Sequence, residues 1–331
     1  MNRSRLEQQL HAVWYGKSGT ALALLPLSWL YCLLVWLRRK LYRCGILQRR
    51  CLDCRVMVVG NINVGGSGKT PLVTAIARRA QDMGLQVGIL ARGYRGRARH
   101  WPQAVHADSD PRQVGDEAVL LARETGAAVF AGPDRITAGR ALLQAGPCDI
   151  IICDDGLQHL ALQADTEIAV VDAAYGTGNG YCLPAGPLRE PAARLREVDA
   201  VVTLRDNTDA AFSMRLQSLP LRCIMDPSQT CDLNSLRGQN VHAVAGIAHP
   251  QRFFDSLHEA GLNIRPHIFA DHHPFQAAEL DFGDNAPVLM TAKDALKCEP
   301  FARPNWWSVP VEAQLDASLE AWLTEILDQE P

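Results

Sequence analysis

Short apolar runs alternate with amphipathic stretches along most of this chain, from residue 56 onwards. Runs of four or five apolar residues predict strands, and apolar residues repeated every three or four positions predict helices. In the first part of the chain, strands are predicted at 56–59, 86–90, 127–131, 149–153, 167–171 and 200–204, and helices at 71–83, 116–124 and 138–144. Strands that are apolar on both faces and alternate with helices indicate a parallel sheet that is covered on both sides.

A second α/β pattern follows a polar, weakly patterned stretch between residues 207 and 239. It predicts strands at 242–245 and 288–291 and helices at 251–260 and 315–327, so a domain boundary is expected near residue 207. The predicted organisation is a helical segment over 1-45, a parallel-sheet domain over 46-206, and a second, smaller α/β domain over 207-331 that closes a cleft.

The most apolar stretch, Thr20 to Leu37, carries no charge in eighteen residues and is followed by a basic cluster between residues 38 and 55. Eighteen residues is near the lower limit for crossing a bilayer. Two alternatives stay open: the segment spans the membrane once, or it lies in the interface with its aromatic residues near the headgroups, namely Trp14, Trp29, Tyr31 and Trp36. Pro26 interrupts the stretch, which favours a short helix that dips into the membrane. A buried core helix is the competing interpretation, which the aromatic residues and flanking charges disfavour.

The composition is that of a globular protein with a core, since 47% of the 331 residues are hydrophobic and 21% are charged. The formal net charge is -3, so nothing global indicates a nucleic-acid partner. The ten cysteines are scattered apart from the pair Cys51 and Cys54, which has no second half that would complete a zinc site. Reduced thiols in a cytoplasmic setting are therefore expected, and no oligomeric state is inferred.

A glycine-rich loop lies between the first predicted strand and the first predicted helix, which is the context of a phosphate-binding P-loop. The predicted nucleotide-binding residues are Asn63, Val64, Gly65, Gly66, Ser67, Gly68, Lys69 and Thr70. Backbone N–H groups of such a loop and the helix N-terminus bind phosphate oxygens. Lys69 is expected to reach the β- and γ-phosphates of ATP, and Thr70 to ligate Mg²⁺. Asn63 stands where the usual motif has glycine, but Asn tolerates the left-handed conformation better than most residues.

A P-loop needs a partner carboxylate on a neighbouring strand, and Asp154 and Asp155 follow the apolar strand at 149–153 directly. Apolar strand residues followed by an acid form the Walker B arrangement, in which the carboxylate meets Mg²⁺ directly or through water. Two adjacent acids at a strand end point in different directions, so one is free to serve the metal and the other a loop.

Two classes of function are compatible with these motifs. A kinase transfers the γ-phosphate to a bound acceptor, whereas an NTPase switch or partitioning ATPase transfers it to water. Many proteins of the second class carry a lysine before the paired glycines, where this chain has Val64. The stretch Thr291 to Asp294 lacks the Asn of a guanine-reading motif.

Six ordered motifs resemble the tetraacyldisaccharide 4′-kinase family, the lipid A 4′-kinases of Gram-negative bacteria. They are VVGNINVGGSGKTP (58–71), ARGYRG (91–96), GDEA (115–118), DDGLQH (154–159), LPAGPLRE (183–190) and TAKDALKC (291–298). The resemblance extends over almost the whole chain and implies an α/β fold with a P-loop NTPase-like parallel sheet.

This resemblance implies an ATP- and Mg²⁺-dependent kinase that phosphorylates the 4′-hydroxyl of a tetraacylated glucosamine disaccharide 1-phosphate, a lipid A precursor. The enzyme would be a peripheral or monotopic protein of the inner membrane, facing the cytoplasm, and the apolar segment with its basic cluster fits a lipid acceptor. The alternative is a membrane-bound P-loop NTPase that acts on a protein partner, and stimulation of ATP turnover by a lipid disaccharide would separate the two.

The resemblance also implies roles for individual side chains. Asp116 and His272 match a dyad that activates the acceptor hydroxyl, and Lys69, Asp155 and Arg189 match residues of the phosphate-transfer site. The metal ligands would come from a set of four residues: Thr70, Asp154, Asp155 and Glu190. Taken alone, Asp116 would be interpreted as a helix cap and His272 as a surface histidine. A carboxylate paired with a histidine can accept a hydroxyl proton near neutral pH, and if the pair meets, the active site is a cleft between the two domains.

Overall fold

The computed structural model describes residues 13–16, 20–204 and 210–329. Its strands are β1 (Arg55–Gly60), β2 (Val87–Ala91), β3 (Gln103–Val105), β4 (Ala128–Ala131), β5 (Ile150–Asp154), β6 (Thr166–Asp172), β7 (Ala200–Leu204), β8 (Phe212–Ser218), β9 (Leu221–Cys223), β10 (Thr230–Cys231), β11 (Asn240–Ala245), β12 (Asn263–Ile268), β13 (Val288–Thr291), β14 (Trp306–Val309) and β15 (Val311–Leu315). Its α-helices are α1 (Thr20–Arg43), α2 (Lys69–Asp82), α3 (Pro111–Val114), α4 (Asp116–Thr125), α5 (Arg135–Ala145), α6 (Pro250–Glu259), α7 (Ala292–Cys298) and α8 (Ala317–Asp328).

The larger sheet has nine strands in the order β15-β8-β7-β6-β1-β5-β2-β4-β3, and its central strands are parallel. Alternate residues of β5 enter different apolar clusters: Ile150 and Ile152 pack with α2 on one face, while Ile151 and Cys153 pack with α5 on the other. Both faces of the central strands are therefore buried, which explains their continuous apolar sequence and confirms the predicted covered parallel sheet.

A smaller sheet of six strands, in the order β10-β9-β14-β13-β11-β12, forms the second α/β unit. Its strands β12, β11, β13 and β14 are parallel. The phenyl rings and leucine of α6 bury one face of this sheet, with Phe253, Phe254 and Leu257 in one apolar cluster. The chain therefore carries two sheets, each with its own core, as the two α/β patterns indicate.

The sheets do not divide the chain at the expected boundary of residue 207. Strands β8 and β15 pair with each other at the edge of the larger sheet, where β8 also pairs with β7. Leu319, Leu323 and Leu327 of α8 are buried in the core of that same sheet. The chain thus returns to the first unit at its C-terminal end. The apolar pattern did not predict this return, because the edge strands β8 and β15 are half exposed and lack the apolar run of a central strand.

Helix α1 runs without a break through Pro26, contrary to the expectation that this proline interrupts it. Pro26 removes one backbone hydrogen-bond donor, and the 24-residue helix continues with one hydrogen bond fewer. Only 11% of the most apolar 18-residue stretch of this helix is buried, which excludes a core helix. Large apolar side chains are exposed along it: Leu22, Leu27, Trp29, Leu30, Leu33, Leu34, Trp36 and Leu37. By length and composition, α1 is sufficient to cross a bilayer.

Replacing Leu323 with Ala tests whether α8 stabilises the unit that holds the glycine-rich loop. The side chain is fully buried, so the substitution should lower the free energy of unfolding by about 2–5 kcal/mol. Hydrogen exchange of the β1 amides should accelerate with it. Val311→Ala is the matched control, because that side chain is 41% exposed on β15. Unchanged exchange in β1 would show that α8 does not stabilise the larger sheet.

Candidate active site

The glycine-rich loop connects the end of β1 to the start of α2, at the carboxyl edge of the larger sheet. Gly65 and Gly68 have φ angles of 113° and 83°, a region that favours glycine. A Cβ on Gly65 would lie 3.0 Å from Nε2 of His249, and one on Gly68 would lie 3.0 Å from Cδ2 of Leu204. Both the backbone conformation and the close neighbours therefore require glycine, as the P-loop interpretation predicts.

Lys69 opens α2 and turns its ammonium toward two oxygen atoms of the same sheet edge. Its Nζ donates to Oδ1 of Asn61 at 3.2 Å and lies 3.3 Å from Oδ1 of Asp155. Asn61 in turn donates to the Gly65 carbonyl at 3.3 Å. The lysine is thus held over the loop, where the oxygens of a bound phosphate would compete for it.

Asp154 and Asp155 lie beside the loop because β5 pairs with β1, with Asp154 opposite Val59. Asp154 is 3% exposed, and its Oδ1 has no hydrogen-bond partner among the residues that the structure describes. Burial, and then the negative charge of Glu117, raise the pKa of Asp154 to about 7. The structure therefore contains a buried carboxylate oxygen that lacks a partner.

Asp155 has the opposite electrostatic environment, although it is the next residue. It adopts a φ of 51°, which turns its side chain out of the strand. Nη1 of Arg189 donates to both carboxylate oxygens at 3.0 Å. Burial alone would raise the pKa of Asp155, but the charges of Lys69 and Arg189 outweigh it and hold this pKa well below its usual range. Asp155 is therefore ionised and paired.

The donor set fits a magnesium–nucleotide complex. The carboxyl group of Asp154 is close enough to Lys69 for that ammonium to lower its pKa. Oγ of Ser67 is also buried, with no hydrogen-bond partner in the described part of the chain. No group of three or more His, Cys, Asp or Glu side chains that could hold a metal ion occurs within 13–16, 20–204 and 210–329. Mg²⁺ typically uses one or two carboxylates together with water and substrate phosphates, so this sparse set is compatible with it.

The first two predicted nucleotide-binding residues, Asn63 and Val64, contact a neighbouring segment of the chain. Nδ2 of Asn63 donates to the Gly176 carbonyl at 2.7 Å, and the amide of Val64 donates to the Pro187 carbonyl at 2.8 Å. These two residues fasten the loop to the neighbouring 176–188 segment, and the Val64 amide is engaged in that contact. The amides from Gly65 to Thr70 are therefore the candidates for binding phosphate.

Glu190 is buried and contacts helix α1. Its Oε1 accepts from Nε2 of Gln158 at 2.8 Å, and its Oε2 accepts from the guanidinium of Arg39. Tyr31 of the same helix donates to the Arg189 carbonyl at 2.8 Å. Both oxygens of Glu190 are therefore engaged, and its role as a metal ligand stays a prediction that requires one of these partners to move.

The expected dyad is assembled from the two sheet units. Asp116 starts α4, next to the larger sheet, and His272 follows β12 of the smaller one. Nδ1 of His272 lies 2.9 Å from Oδ2 of Asp116, and both side chains are 8% exposed. Burial would raise the pKa of Asp116, but the hydrogen bond to His272 and the charge of Lys293 lower it. Asp116 is therefore a buried carboxylate that is kept ionised.

The ARGYRG motif contacts the histidine of this dyad. Nη1 of Arg95 donates to the carbonyls of Asp271 at 2.9 Å and His272 at 3.2 Å. The Tyr94 ring lies 5.1 Å from the His272 ring. His272 and Arg95 have φ angles of 58° and 59°, so two left-handed residues meet here. This loop contact holds the imidazole in place.

Two further site residues, Lys293 and Glu117, were not singled out from the sequence. Nζ of Lys293 lies 3.2 Å from Nε2 of His272 and donates to Oε1 of Glu117 at 2.9 Å. Both lie within quoted motifs, TAKDALKC and GDEA, but only the fold shows that these motifs meet. Because Glu117 also raises the pKa of Asp154, the dyad and the carboxylate pair lie within one electrostatic environment.

Asparagine substitutions of the two adjacent aspartates should have opposite effects on stability at pH 8. Burying ionised Asp154 costs free energy above its folded pKa of about 7, so Asp154→Asn should stabilise the protein by up to about 4 kcal/mol. That gain should fade to less than about 1 kcal/mol at pH 4, where the carboxyl group is neutral in the folded state and only about half ionised in the unfolded state. Asp155→Asn should destabilise it, because the lowered pKa of Asp155 contributes stability that is lost only as pH falls.

Denaturant unfolding at both pH values, in the presence of a metal chelator, measures these differences. The two variants are matched controls for each other, since they differ by one position. A loss of stability in Asp154→Asn at pH 8 would contradict the assigned burial cost.

Comparison with known proteins matches this geometry to one family. A family model described as tetraacyldisaccharide-1-P 4′-kinase matches residues 20–328. The chain is 47% identical to a tetraacyldisaccharide 4′-kinase of Nitrosococcus oceani over 96% of this chain and 93% of that relative. It is 50% identical to one of Alkalilimnicola ehrlichii over 92% and 93% of the two chains. The crystal structure of LpxK from Aquifex aeolicus in complex with ATP is similar, with a TM-score of 0.77 and 26% identity over 94% of this chain and 100% of that one. The chain therefore belongs to the tetraacyldisaccharide-1-P 4′-kinase family.

Proposed function

We propose that this chain transfers the γ-phosphate of ATP to the 4′-hydroxyl of a tetraacylated glucosamine disaccharide 1-phosphate at a membrane surface. Membership of the kinase family supports the reaction. The observation that carries the assignment to this site is the buried 2.9 Å contact between His272 and Asp116, which supplies an acceptor for a hydroxyl proton.

The P-loop holds the phosphate chain of ATP. Amides from Gly65 to Thr70 face the phosphates at the N-terminus of α2, where the helix dipole favours negative charge. Lys69 exchanges its contacts with Asn61 and Asp155 for phosphate oxygens. Mg²⁺ bound with the nucleotide would be held by Thr70 and Asp154, with Asp155 and Glu190 as further candidates, and would neutralise phosphate charge.

His272 removes the proton of the acceptor hydroxyl as the new bond forms. The O–H bond of the sugar breaks, its oxygen bonds to the γ-phosphorus, and ADP leaves with the electrons of the broken P–O bond. The proton goes to Nε2 of His272, and the ionised Asp116 at Nδ1 stabilises the resulting imidazolium. A carboxylate held ionised in a buried position is suited to this task.

Arg189 serves the transferred phosphoryl group. Its guanidinium lies on the carboxylate of Asp155, which points it toward the same strand end as Lys69. A second cation at this edge balances charge that spreads over the phosphoryl oxygens in the transition state. Because one half of the site lies on each sheet unit, the two units close the cleft and exclude water that would otherwise hydrolyse ATP.

Helix α1 attaches the enzyme to the membrane that contains its lipid acceptor. The aromatic and aliphatic side chains along it are exposed, and its last turn carries Lys40 and Arg43. Such a helix partitions into the headgroup region, and the basic residues that follow attract anionic lipid. This supports a peripheral or monotopic enzyme on the cytoplasmic face of the inner membrane. The indole of Trp14 donates to the Pro184 carbonyl at 3.0 Å, and its position near the headgroups stays a prediction.

Substitution of either dyad residue should remove turnover while leaving ATP binding intact. His272→Asn and Asp116→Asn should each lower the rate about 10²- to 10⁴-fold, because the acceptor of the hydroxyl proton is lost. ATP binding should stay intact, because neither substitution removes a contact to phosphate. Mass spectrometry of the acylated disaccharide after incubation with MgATP should show the gain of one phosphate on the distal sugar for the unmodified protein. Lys69→Ala is the comparison, since it should impair ATP binding as well.

Normal turnover in both dyad variants would exclude His272 and Asp116 as the proton acceptor. ATP hydrolysis that is indifferent to the lipid and stimulated by a protein fraction would instead favour the NTPase alternative.

The double variant Leu33→Glu/Trp36→Glu tests membrane attachment. Both side chains are more than half exposed, so the fold should be retained, while binding to vesicles of anionic phospholipid should fall about 10-fold or more because two charges enter an apolar layer. Ile268→Glu/Met225→Glu is the matched control, with two exposed apolar residues outside α1. Sedimentation with vesicles measures the difference. Equal loss in both double variants would exclude a specific role for α1.

A further inference from the structure

Lys293 lies between the dyad and the carboxylate of Glu117. It is the second residue of α7, directly after β13, and its side chain is 17% exposed. Its Nζ is 3.2 Å from Nε2 of His272, 2.9 Å from Oε1 of Glu117 and 4.0 Å from Oδ1 of Asp271. The lysine therefore contacts the ring nitrogen that would accept the proton in the proposed reaction.

The chemistry of an ammonium group determines which nitrogen of His272 carries hydrogen. A protonated lysine has three donors and no acceptor, so Nε2 of His272 must present its lone pair to Lys293. Nδ1 then carries the hydrogen and donates it to Asp116. The two neighbours enforce the same tautomer, and in that tautomer Nε2 is free to accept a proton.

Lys293 stays charged in this environment. Burial by itself favours the neutral amine, but the carboxylates of Glu117, Asp116 and Asp271 outweigh it and raise the pKa of Lys293 above its usual range. A permanent cation 3.2 Å from Nε2 opposes protonation of the ring, whereas Asp116 at Nδ1 favours it.

The charged and titratable groups around His272 come from four segments. Asp116 and Glu117 belong to α4, Tyr94 and Arg95 to the segment after β2, Lys293 to α7, and Asp271 to the loop of His272 itself. Arg95 contacts the backbone carbonyl of His272 and not its ring. Lys293 is thus the cation that touches the ring.

We propose that Lys293 is a positioning residue that holds the hydrogen of His272 on Nδ1 and leaves Nε2 as the acceptor, until the acceptor hydroxyl displaces the ammonium from Nε2. Glu117 anchors Lys293 within reach of the ring. The inference rests on the proposed role of His272 as the proton acceptor. A substrate hydroxyl that donates to Nε2 takes the place of the ammonium, which is then free to donate to the hydroxyl oxygen or to a phosphoryl oxygen.

Titration of the imidazole tests this directly in the intact chain without substrate. In protein labelled with ¹⁵N-histidine and assigned with His272→Gln, Nδ1 of His272 should give the pyrrole-type signal and Nε2 the pyridine-type signal. Lys293→Met should raise the titration midpoint of His272 by about one pH unit, because a neighbouring cation is removed. Lys293→Arg, which keeps the charge, should restore most of the original midpoint.

The matched control is Arg303→Met, which removes one positive charge from an exposed pair with Asp281 in the same sheet unit. It should leave the midpoint of His272 unchanged. An unchanged midpoint in Lys293→Met, or hydrogen on Nε2 in the unmodified protein, would overturn the proposal. A midpoint that rises equally in both variants would also overturn it, because the effect would then not be local.

Kinetics on the lipid acceptor distinguish a positioning role from a structural one. Lys293→Met should lower kcat about 10- to 100-fold near neutral pH, leave the KM for ATP unchanged, and regain rate as pH rises, because its acid limb follows the raised midpoint. A pH-independent loss would contradict the proposal. A normal NMR result with no lipid phosphorylation by the unmodified protein would instead refute the proposed reaction and leave the lysine contact intact.

Discussion

The parallel pairing of β1 with β5 is the constraint on which the rest of the site depends. It sets Val59 opposite Asp154, so the loop that follows one strand and the carboxylates that follow the other emerge at the same sheet edge. Lys69 and Asp155 approach to 3.3 Å as a direct consequence. Two short apolar strands with no chemistry of their own thereby bring the phosphate-binding and carboxylate groups together.

Helix α1 directly contacts residues of the candidate active site. Tyr31 holds the backbone of Arg189, and Arg39 holds the carboxylate of Glu190. The exposed apolar side chains lie on the same helix, so one element presents an apolar surface and also contacts the segment that pairs with Asp155. In the proposed membrane attachment, a helix seated in the interface would also set the height of the active-site residues above it.

The sequence predicted local features well and long-range returns of the chain poorly. The loop, the adjacent aspartates and the covered parallel strands follow from residue type and spacing, since glycine conformations and apolar runs are properties of a few neighbouring residues. The family resemblance indicated the dyad, although 156 positions separate Asp116 from His272. By contrast, nothing local shows that β15 and α8 rejoin the larger sheet, or that Lys293 meets Glu117 across 176 positions. Those contacts depend on how two units pack, which periodicity does not encode.

Glu117 acts on both the carboxylate pair and the dyad. Its charge raises the pKa of Asp154, which weakens that carboxylate as an anion, and the same charge holds Lys293 beside His272. Moving the carboxylate away would make Asp154 easier to ionise but would release the ammonium that contacts Nε2 of His272. A cation bound at Asp154 would offset the first effect and leave the second in place, because Glu117 acts on Asp154 through its charge and on Lys293 through a 2.9 Å hydrogen bond. Glu117 therefore links a carboxyl group that is costly to ionise with a lysine that contacts the imidazole of the dyad.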